Sequence, residues 1–180
     1  LSNEKIKPSI KEYILCSGIE GNYTIGTNGD YNTIRQAVKA LECGVTGPVV
    51  FTIEDGTYRE KVKIGKIIGA SNTNNITFQG TRKAVIEYHG SSSTDRYCII
   101  FNNASHISFE GITLTGIGAF AAGVLFSNNS QQNKIRKCFF NFKAYSTLST
   151  NVLVDFSNDL KNNFINRNGS YNLIDSNEFL

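Results

Sequence analysis

The chain has little charge, almost no proline and no long apolar run. Charged residues are 18% of its 180 residues and only 2 are proline, whereas about a quarter of an ordinary globular chain is charged. This composition excludes intrinsic disorder, coiled coil and collagen-like structure. No apolar stretch approaches the roughly 18 residues needed to cross a bilayer, so we expect a soluble chain without a transmembrane segment.

Methionine is absent and cysteine is scarce. A chain that starts at Leu1 without methionine predicts a processed protein or part of a longer one. The cysteines form no CxxC pair, which argues against a zinc or thioredoxin-type motif. We favour buried free thiols over disulfides, and the spacing leaves any pairing open for Cys16, Cys43, Cys98 and Cys138.

The charge balance is close to even. There are 18 basic and 15 acidic residues, for a net charge of +3, and the two signs are mixed along the chain. A nucleic-acid surface would need a clustered basic patch. We therefore expect no nucleic-acid partner.

One amphipathic helix is predicted from Thr33 to Cys43. Its apolar residues recur at i, i+3, i+4 and i+7 and form one stripe. Thr33 and Gln36 match a capping box at the start, and Gly44 suits the C-terminal end. The rest of the chain reads as short strands separated by Asn, Ser and Gly, at 49–53, 58–64, 75–78, 84–88, 98–101, 106–109, 112–115, 123–126, 134–140 and 152–156.

These strands repeat, which changes the expected fold. One form is an aromatic residue that ends a strand before a polar turn, at Phe101, Phe126 and Phe156. A second form is an apolar residue, a charge, a turn residue and another apolar residue, at 109–114, 135–140 and 174–179. The last copy is displaced by an Asn- and Gly-rich insertion, 159–172, which we interpret as a projecting loop.

Strands that repeat once per coil stack in parallel and bury their inward side chains against the coils above and below. The predicted fold class is therefore all-β, a right-handed parallel β-helix (solenoid) with an N-terminal amphipathic capping helix that covers its open end. We expect an N-terminal extension with a first strand at 1–28, the capping helix at 29–44 and coils at 45–180, with further coils beyond Leu180. Asn102, Asn128 and Asn158 are expected to form a stacked ladder.

The chain resembles a known family in its first part. Residues 29–38 read GDYNTIRQAV and residues 55–62 read DGTYREKV, which is similar to the start of pectin methylesterases and related right-handed parallel β-helix proteins. Residues 45–49, VTGPV, and 69–78, GASNTNNITF, resemble more closely the β-helix domains of large secreted bacterial surface proteins. The resemblance, from about Tyr23 to Phe140, implies the pectin lyase-like fold.

The chemistry of that family is only partly matched. Pectin methylesterases use two Asp carboxylates, with Gln and Arg nearby. The first Asp segment would fall at 144–148, which contains neither Gln nor Asp. The second Asp context, Val-Asp-Phe, occurs around Asp155. We interpret this match as chance rather than a retained nucleophile, because ester attack also needs an acid and base partner.

Pectate lyases share the architecture, and the resemblance implies calcium held by clustered carboxylates, which would take about six to eight oxygen ligands. The late acids Asp155, Asp159 and Asp175 would have to converge for this. We favour solvated turn acids, and therefore no cofactor, with calcium as the alternative. His89 and His106 each lie beside a turn without a triad partner, so we expect a surface or capping role.

Candidate carbohydrate-binding residues come from the second repeated form and from the aromatic residues. Glu110, Arg136 and Asp175 occupy one position of the repeat, which predicts an exterior column that forms either a salt-bridge ladder or a saccharide-binding strip. Phe142 and two tyrosines could offer platforms for sugar rings. The resulting candidate set is Glu110, Arg136, Tyr145, Tyr171 and Asp175.

The sequence thus favours a secreted or surface-exposed bacterial β-helix domain, extracellular or periplasmic, without a complete catalytic site. We expect an extended scaffold whose partner is a polysaccharide. The alternative is a polysaccharide lyase or carbohydrate esterase that acts on pectin-like uronate polymers, and a third hypothesis is a stalk or adhesin module without a ligand. An enzyme would bring two or more carboxylates and a base together in an exterior groove.

Overall fold

The computed structural model describes residues 16–118, 120–143, 153–156 and 171–179. In this part of the chain, all the strands pair in parallel and form three sheets. The first two strands pair with each other, and from the second strand onward consecutive strands belong to different sheets, so the chain winds around a common axis as a β-solenoid of about four turns. The predicted parallel β-helix is confirmed.

The first sheet contains six strands. In spatial order they are β1 (Ile19–Ile25), β2 (Val45–Ile53), β5 (Ile76–Gln79), β8 (Ile107–Glu110), β11 (Lys134–Arg136) and β14 (Leu173–Asp175). The second sheet contains β4 (Val62–Ile64), β7 (Tyr97–Asn102), β10 (Ala122–Ser127) and β13 (Val154–Asp155). The third contains β3 (Gly56–Arg59), β6 (Ala84–Glu87), β9 (Thr113–Ile117), β12 (Phe139–Lys143) and β15 (Glu178–Phe179).

Aromatic rings stack inside the solenoid. Phe101 and Phe126 lie 4.8 Å apart with an interplanar angle of 4°, and Phe126 and Phe156 lie 5.0 Å apart at 10°. The predicted column through these three residues is therefore confirmed. A second column joins Phe78 to Phe51 and to Phe109, with ring centroids 4.7 Å apart in both pairs. Because equivalent residues stack on one another, each coil completes its hydrophobic core only through contact with the coils above and below it.

The predicted helix is present but shorter. α1 spans Ile34–Ala40 and is followed by a 3₁₀ turn at Leu41–Cys43. The Thr33 hydroxyl accepts a hydrogen bond from the backbone N–H of Gln36 at 3.1 Å, and the Gln36 side chain accepts one from the backbone N–H of Asn32. In a capping box this second bond would go to Thr33 itself, so here it reaches one residue further toward the N-terminus. Gly44 follows with φ of 87°. No helix of the described residues has the length and hydropathy required to cross a membrane.

Two of the predicted strands are in fact four. The segment 58–64 turns a corner at the buried Glu60 between β3 and β4, and 134–140 turns one at Lys137 between β11 and β12. Lys137 has φ of 53°. At Lys137 this left-handed backbone bends the chain from one sheet into the next, and periodicity alone does not reveal it.

The expectation of free thiols is wrong for one cysteine pair. Cys16 and Cys43 form a disulfide with their Cα atoms 5.3 Å apart, a separation typical of such bonds. It attaches the start of the described chain to the 3₁₀ turn that follows α1. Cys98 and Cys138 are buried free thiols, as predicted, and burial raises the pKa of Cys98 to about 12 and that of Cys138 to about 11.

The Asn ladder differs from the predicted one. The Asn128 side chain donates to the Asn102 side chain, as expected, while Asn158 lies outside the described residues. A more buried ladder joins Asn133 and Asn172, because Asn172 Oδ1 accepts from the backbone N–H of Asn133 at 2.8 Å and from its side-chain amide at 3.1 Å. This ladder fixes the corner at which the chain enters the first sheet.

Candidate functional site

An open groove of about 370 Å³ runs along the outside of the first sheet. We call it the axial groove, because its walls come from successive coils rather than from one loop. It is lined by Asn72, Asn75, Thr77, His106, Ser108, Glu110, Gln132, Lys134 and Tyr171. Most of these side chains offer hydrogen-bond donors or acceptors, so the groove suits a polar ligand.

The first wall is a column at the corner before the sheet. Strand pairing aligns Ile76 with Ile107, and Lys134 with Leu173. A bridge between Ser105 and Gln131 continues the register into the corner. The preceding corner positions of four coils are therefore equivalent, and all four line the axial groove: Asn75, His106, Gln132 and Tyr171.

The second wall lies on the sheet itself. Thr77 pairs with Ser108, and Ser108 pairs with Lys134. Because alternate residues of a strand point to opposite faces, the residue two positions after each corner returns to the exterior. Three coils thus contribute a corner residue and a strand residue to the axial groove, and the fourth contributes its corner residue, Tyr171. Glu110 is two positions further along β8 and closes one side.

The corner column holds side chains that left-handed backbone does not favour. His106, Gln132 and Tyr171 have φ values of 63°, 57° and 67°, where glycine or asparagine is usual. The Asn133 amide supports this geometry, because it accepts from the backbone N–H of Ile107 at 3.1 Å and donates to the carbonyl of Ala104 at 2.8 Å. Such conformations are concentrated at binding sites.

Two opposite charges in the axial groove have no partner in the part of the chain that the structure describes. Within the described ranges, neither the Glu110 carboxylate nor the Lys134 ammonium makes a hydrogen bond or an ion pair. His106 is half-buried, and burial lowers its pKa below the ordinary value, so its ring is neutral at pH 7. The groove therefore presents to solvent the Glu110 carboxylate, the Lys134 ammonium and the neutral imidazole of His106.

Tyr171 gives the groove an aromatic surface. Its side chain is 83% exposed, although tyrosine usually buries most of its ring. Leu173, two residues later and in register with Lys134, is also exposed. The fourth coil therefore offers apolar surface where the first three coils offer polar groups. Tyr171 and Glu110 are the two candidate residues that the structure brings to this groove.

Of the other candidates, Arg136 and Asp175 are not among the residues that line the axial groove. Glu110, Arg136 and Asp175 are in register on the exterior of β8, β11 and β14, as the repeat predicts. Arg136 Nε lies 3.4 Å from Asp175 Oδ2, and neither residue lines the axial groove. This is one step of the predicted salt-bridge ladder, and Glu110 does not join it. Tyr145 lies outside the described residues. Phe142 is buried in the core and offers no platform.

Most of the groove was not anticipated from sequence. Asn75, Gln132 and Lys134 carried no functional prediction, and His106 was expected only to have a surface or capping role. The signal that could have found Asn75 and His106 is their position immediately before the apolar residue that starts a first-sheet strand, whereas Gln132 precedes Asn133 and has no such signal. Tyr171 lies at the end of the insertion 159–172. Its place beside the earlier coils depends on the path of the chain through that insertion, which the spacing of the repeats does not specify.

Among the described residues, the carboxylates that the enzymatic alternative requires are not brought together. Asp155 lies on the second sheet, and its Oδ2 accepts a hydrogen bond from the Tyr97 hydroxyl, which in turn accepts from Arg96 at 3.1 Å. Burial, together with Asp155, raises the pKa of Tyr97 to about 12. Among the described residues, no second carboxylate takes part in this hydrogen-bonded group of Arg96, Tyr97 and Asp155.

The positions of the late acids bear on calcium, the alternative to the expectation of no cofactor. Asp155 is on the second sheet and Asp175 is on the first, paired with Arg136, and Asp159 is outside the described residues. Across the described residues, no three acidic, histidine or cysteine side chains are grouped to hold a metal ion. Because calcium takes about six to eight oxygen ligands, the two described acids do not form a site for it.

His89 has a structural environment at the other side of the solenoid. Its Nδ1 lies 3.2 Å from the backbone nitrogen of Ile117, and its Nε2 lies 3.4 Å from Glu87 Oε1. The backbone pairing between β6 and β9 ends near Glu87 and Thr115, and the contact of the His89 ring with the Ile117 backbone extends the link between the two strands by one more step. This agrees with a capping role.

The solved structures that are similar to this chain include two of one enzyme. Both are a pectin methylesterase from Aspergillus niger, one deglycosylated and one penultimately deglycosylated. Their TM-scores are 0.40 and 0.38 and their identities 15% and 17%, and each alignment covers 91% of this chain and 87% of the other. No protein-family model and no curated protein sequence matches the chain. At these values, the fold assignment rests on the strand pairing itself.

Proposed function

We propose that this chain is a secreted or surface-exposed β-helix domain that acts as an extended scaffold and binds carbohydrate in the axial groove. The observation that carries the proposal is the exposed ring of Tyr171 beside two charges, Glu110 and Lys134, whose side chains have no partner among the described residues. An aromatic face packs against the C–H face of a sugar ring, and carboxylate, amide and hydroxyl groups bind its hydroxyls.

The proposed location agrees with the disulfide. The bond between Cys16 and Cys43 is of a kind that persists in oxidising compartments, outside the cytoplasm of most cells. A solenoid also suits a scaffold, because its length grows by one strand spacing per coil without changing the core. These points support export, and a fractionation experiment on the native source would test it.

Binding is tested with a glycan array that contains bacterial and plant polysaccharides, followed by calorimetry on the best ligand. We expect Tyr171→Ala to weaken binding about tenfold, because it removes stacking of the order of 1 kcal/mol. The matched control is Phe120→Ala, which removes another exposed ring, 40% exposed, outside the groove. An empty array, or equal losses for the two variants, would refute the proposal.

The alternative function, a lyase or esterase on uronate polymers, is tested on the same preparation. Release of unsaturated uronides or methanol from pectin would establish it. Asp155 is the residue to change in that case, since its Val-Asp-Phe context matches the family and its carboxylate contacts Tyr97. Activity that survives Asp155→Asn would place the reaction elsewhere.

A further inference from the structure

One strand edge is open at the N-terminal end of the solenoid. On that side, β2 is paired with β1, and α1 packs against β4. β3 (Gly56–Arg59) is the last strand of the third sheet and, among the described strands, pairs only with β6. The outer edge of a strand is a template on which another extended chain can pair.

The direction of the β3 backbone groups follows from its pairing. The Gly56 N–H donates to the carbonyl of Lys83 at 2.9 Å. Gly56 and, two residues later, Tyr58 therefore direct their backbone groups toward β6. The N–H and C=O groups of Thr57 and Arg59, which alternate with them, face the open side. These are the groups that an added strand requires.

A groove of about 290 Å³ lies along this edge. We call it the edge groove. One side is formed by residues 56–60, and the other comes from the turn after β1, at Gly26, Thr27, Asn32 and Thr33. One residue of a packed strand occupies roughly 160 Å³, from a rise of about 3.3 Å and spacings of about 4.8 and 10 Å. The edge groove therefore encloses about two residues of an added strand.

The two ends of the edge groove carry opposite charge. Glu54 and Asp55 come directly before β3, and both are exposed. Arg59 ends β3, and Arg35 contacts Glu60, the residue that follows. The two arginine side chains are 68% and 75% exposed, and each forms its ion pair through Nε. Their terminal nitrogens make no hydrogen bond within the described ranges, so they can bind a carboxylate.

We propose that the edge groove binds an extended peptide segment of a partner protein, which joins the third sheet as a strand parallel to β3. This site is independent of the proposed carbohydrate function, because the edge groove and the axial groove share no lining residue.

The charges specify the segment and its direction. Asp55, Thr57 and Arg59 are exposed and alternate along the chain, so the acid and the base lie on one face, four residues apart. A parallel strand with a basic residue at its start and an acidic residue four positions later meets an opposite charge at both places. The same peptide in the antiparallel direction would meet like charges.

Designed peptides test the direction on the full chain. The probe is the terminally blocked pentapeptide Lys-Thr-Val-Thr-Glu, and its control is Glu-Thr-Val-Thr-Lys, which has the same composition. Two-dimensional NMR of the isotope-labelled protein follows the titration. The Lys-first peptide should shift the amide signals of Thr57 and Arg59 and slow their hydrogen exchange. It should bind about tenfold more tightly than the Glu-first peptide, because the control exchanges attraction for repulsion.

N-methylation of the probe tests the strand pairing without changing the protein. Only alternate residues of an added strand direct their N–H groups toward β3. Methylation of one alternate set should weaken binding about fivefold, as expected for the loss of a hydrogen bond, and methylation of the other set should weaken it less than twofold. A peptide held by its charges alone would show no such alternation, and that result contradicts the proposal.

Arg59→Gln tests the charge contact at the end of β3. It should weaken binding of the Lys-first peptide about threefold to fivefold, because the acidic residue of the peptide loses its partner. Lys66→Gln is the matched control, since it removes the same charge from an exposed position outside the edge groove. It should change the affinity less than twofold.

The proposal is overturned if neither peptide binds, if the two peptides bind equally, or if the Glu-first peptide binds more tightly. It is also overturned if the Thr57 and Arg59 amides are protected from exchange before peptide is added. The edge would then already be occupied by another part of this chain or by a second copy.

Discussion

Asp95 shows how one carboxylate can organise a surface region of this solenoid. It accepts hydrogen bonds from Lys61, from the Tyr88 hydroxyl at 2.8 and 2.9 Å, and from the Ser91 hydroxyl at 2.9 Å. These bonds, with that of Lys61 the strongest, lower the pKa of Asp95 to about 2. Asp95 therefore joins β4, β6 and the loop after β6 in its ionised form.

This environment predicts a specific loss of stability in acid. The folded-state pKa is below the unfolded value of about 3.9, so the stabilisation is complete above about pH 4 and is lost as pH falls toward 2. Asp95→Asn should reduce the free energy of unfolding by roughly 1 kcal/mol at pH 7, a value limited by the partial exposure of Asp95. It should also flatten the pH dependence below pH 4.

Urea unfolding at a series of pH values measures both effects. Glu54→Gln is the matched control, because the Glu54 carboxylate makes no hydrogen bond within the described part of the chain. If the two variants show the same pH profile, Asp95 does not have the assigned role.

The sequence predicted some of these single-residue features and missed others for a physical reason. Register follows from the repeat, so the alignment of Glu110 with Arg136 and Asp175 was predictable. Whether neighbouring charges then pair depends on side-chain direction, and only Arg136 and Asp175 do so. The hydrogen bonds of Asp95 join segments of different coils, and no local pattern marks them.

At the scale of elements, α1 depends on a residue that is distant in sequence. Glu60 Oε1 accepts from the backbone N–H of Ile34, and Oε2 accepts from that of Arg35, both at 2.9 Å. The Arg35 side chain also contacts Oε2, at 3.2 Å. The carboxylate thus satisfies free N–H groups at the positive end of the helix and holds α1 against the corner between β3 and β4.

Glu60→Gln should therefore destabilise the capping helix. The amide keeps one acceptor but turns a donor toward backbone N–H groups, and Glu60 is buried, so the lost bond is not replaced by water. We expect a loss of about 1–3 kcal/mol in the free energy of unfolding. Thermal denaturation followed by circular dichroism measures it.

Glu42→Gln provides the control for this change, because Glu42 is an exposed acid next to the same helix. It should alter stability by less than about 0.5 kcal/mol. Comparable losses in the two variants would show that general charge, and not the helix contact, is responsible.

The elements themselves were predicted unevenly. α1 was found because its apolar stripe and Thr33 cap are local signals, and Phe101, Phe126 and Phe156 marked the coils because equivalent residues recur. The corners at Glu60 and Lys137 were missed, since neither segment contains a glycine, proline or asparagine that would mark a turn and the bend lies in the backbone. The Cys16–Cys43 disulfide required the path of the chain before the helix, which the spacing of cysteines does not give.

At the scale of the whole molecule, stability should vary along the axis. A solenoid is approximately one-dimensional, and each coil is stabilised mainly by its two neighbours. Phe126 is fully buried between Phe101 and Phe156, whereas Phe156 is 43% exposed and, among the described residues, stacks only on Phe126. The same ring therefore contributes differently at the two positions.

Phe126→Ala should reduce the free energy of unfolding by about 3–5 kcal/mol, as expected for a buried ring whose removal leaves a cavity. Phe156→Ala should reduce it by about 1 kcal/mol, because part of the Phe156 ring is already in water. Hydrogen exchange read by mass spectrometry locates the losses. Phe126→Ala should reduce protection in β7 and β10, while Phe156→Ala should affect β13 and leave β7 unchanged. Similar losses throughout the chain would mean that the coils unfold as one unit, and the nearest-neighbour description of this solenoid would then be wrong.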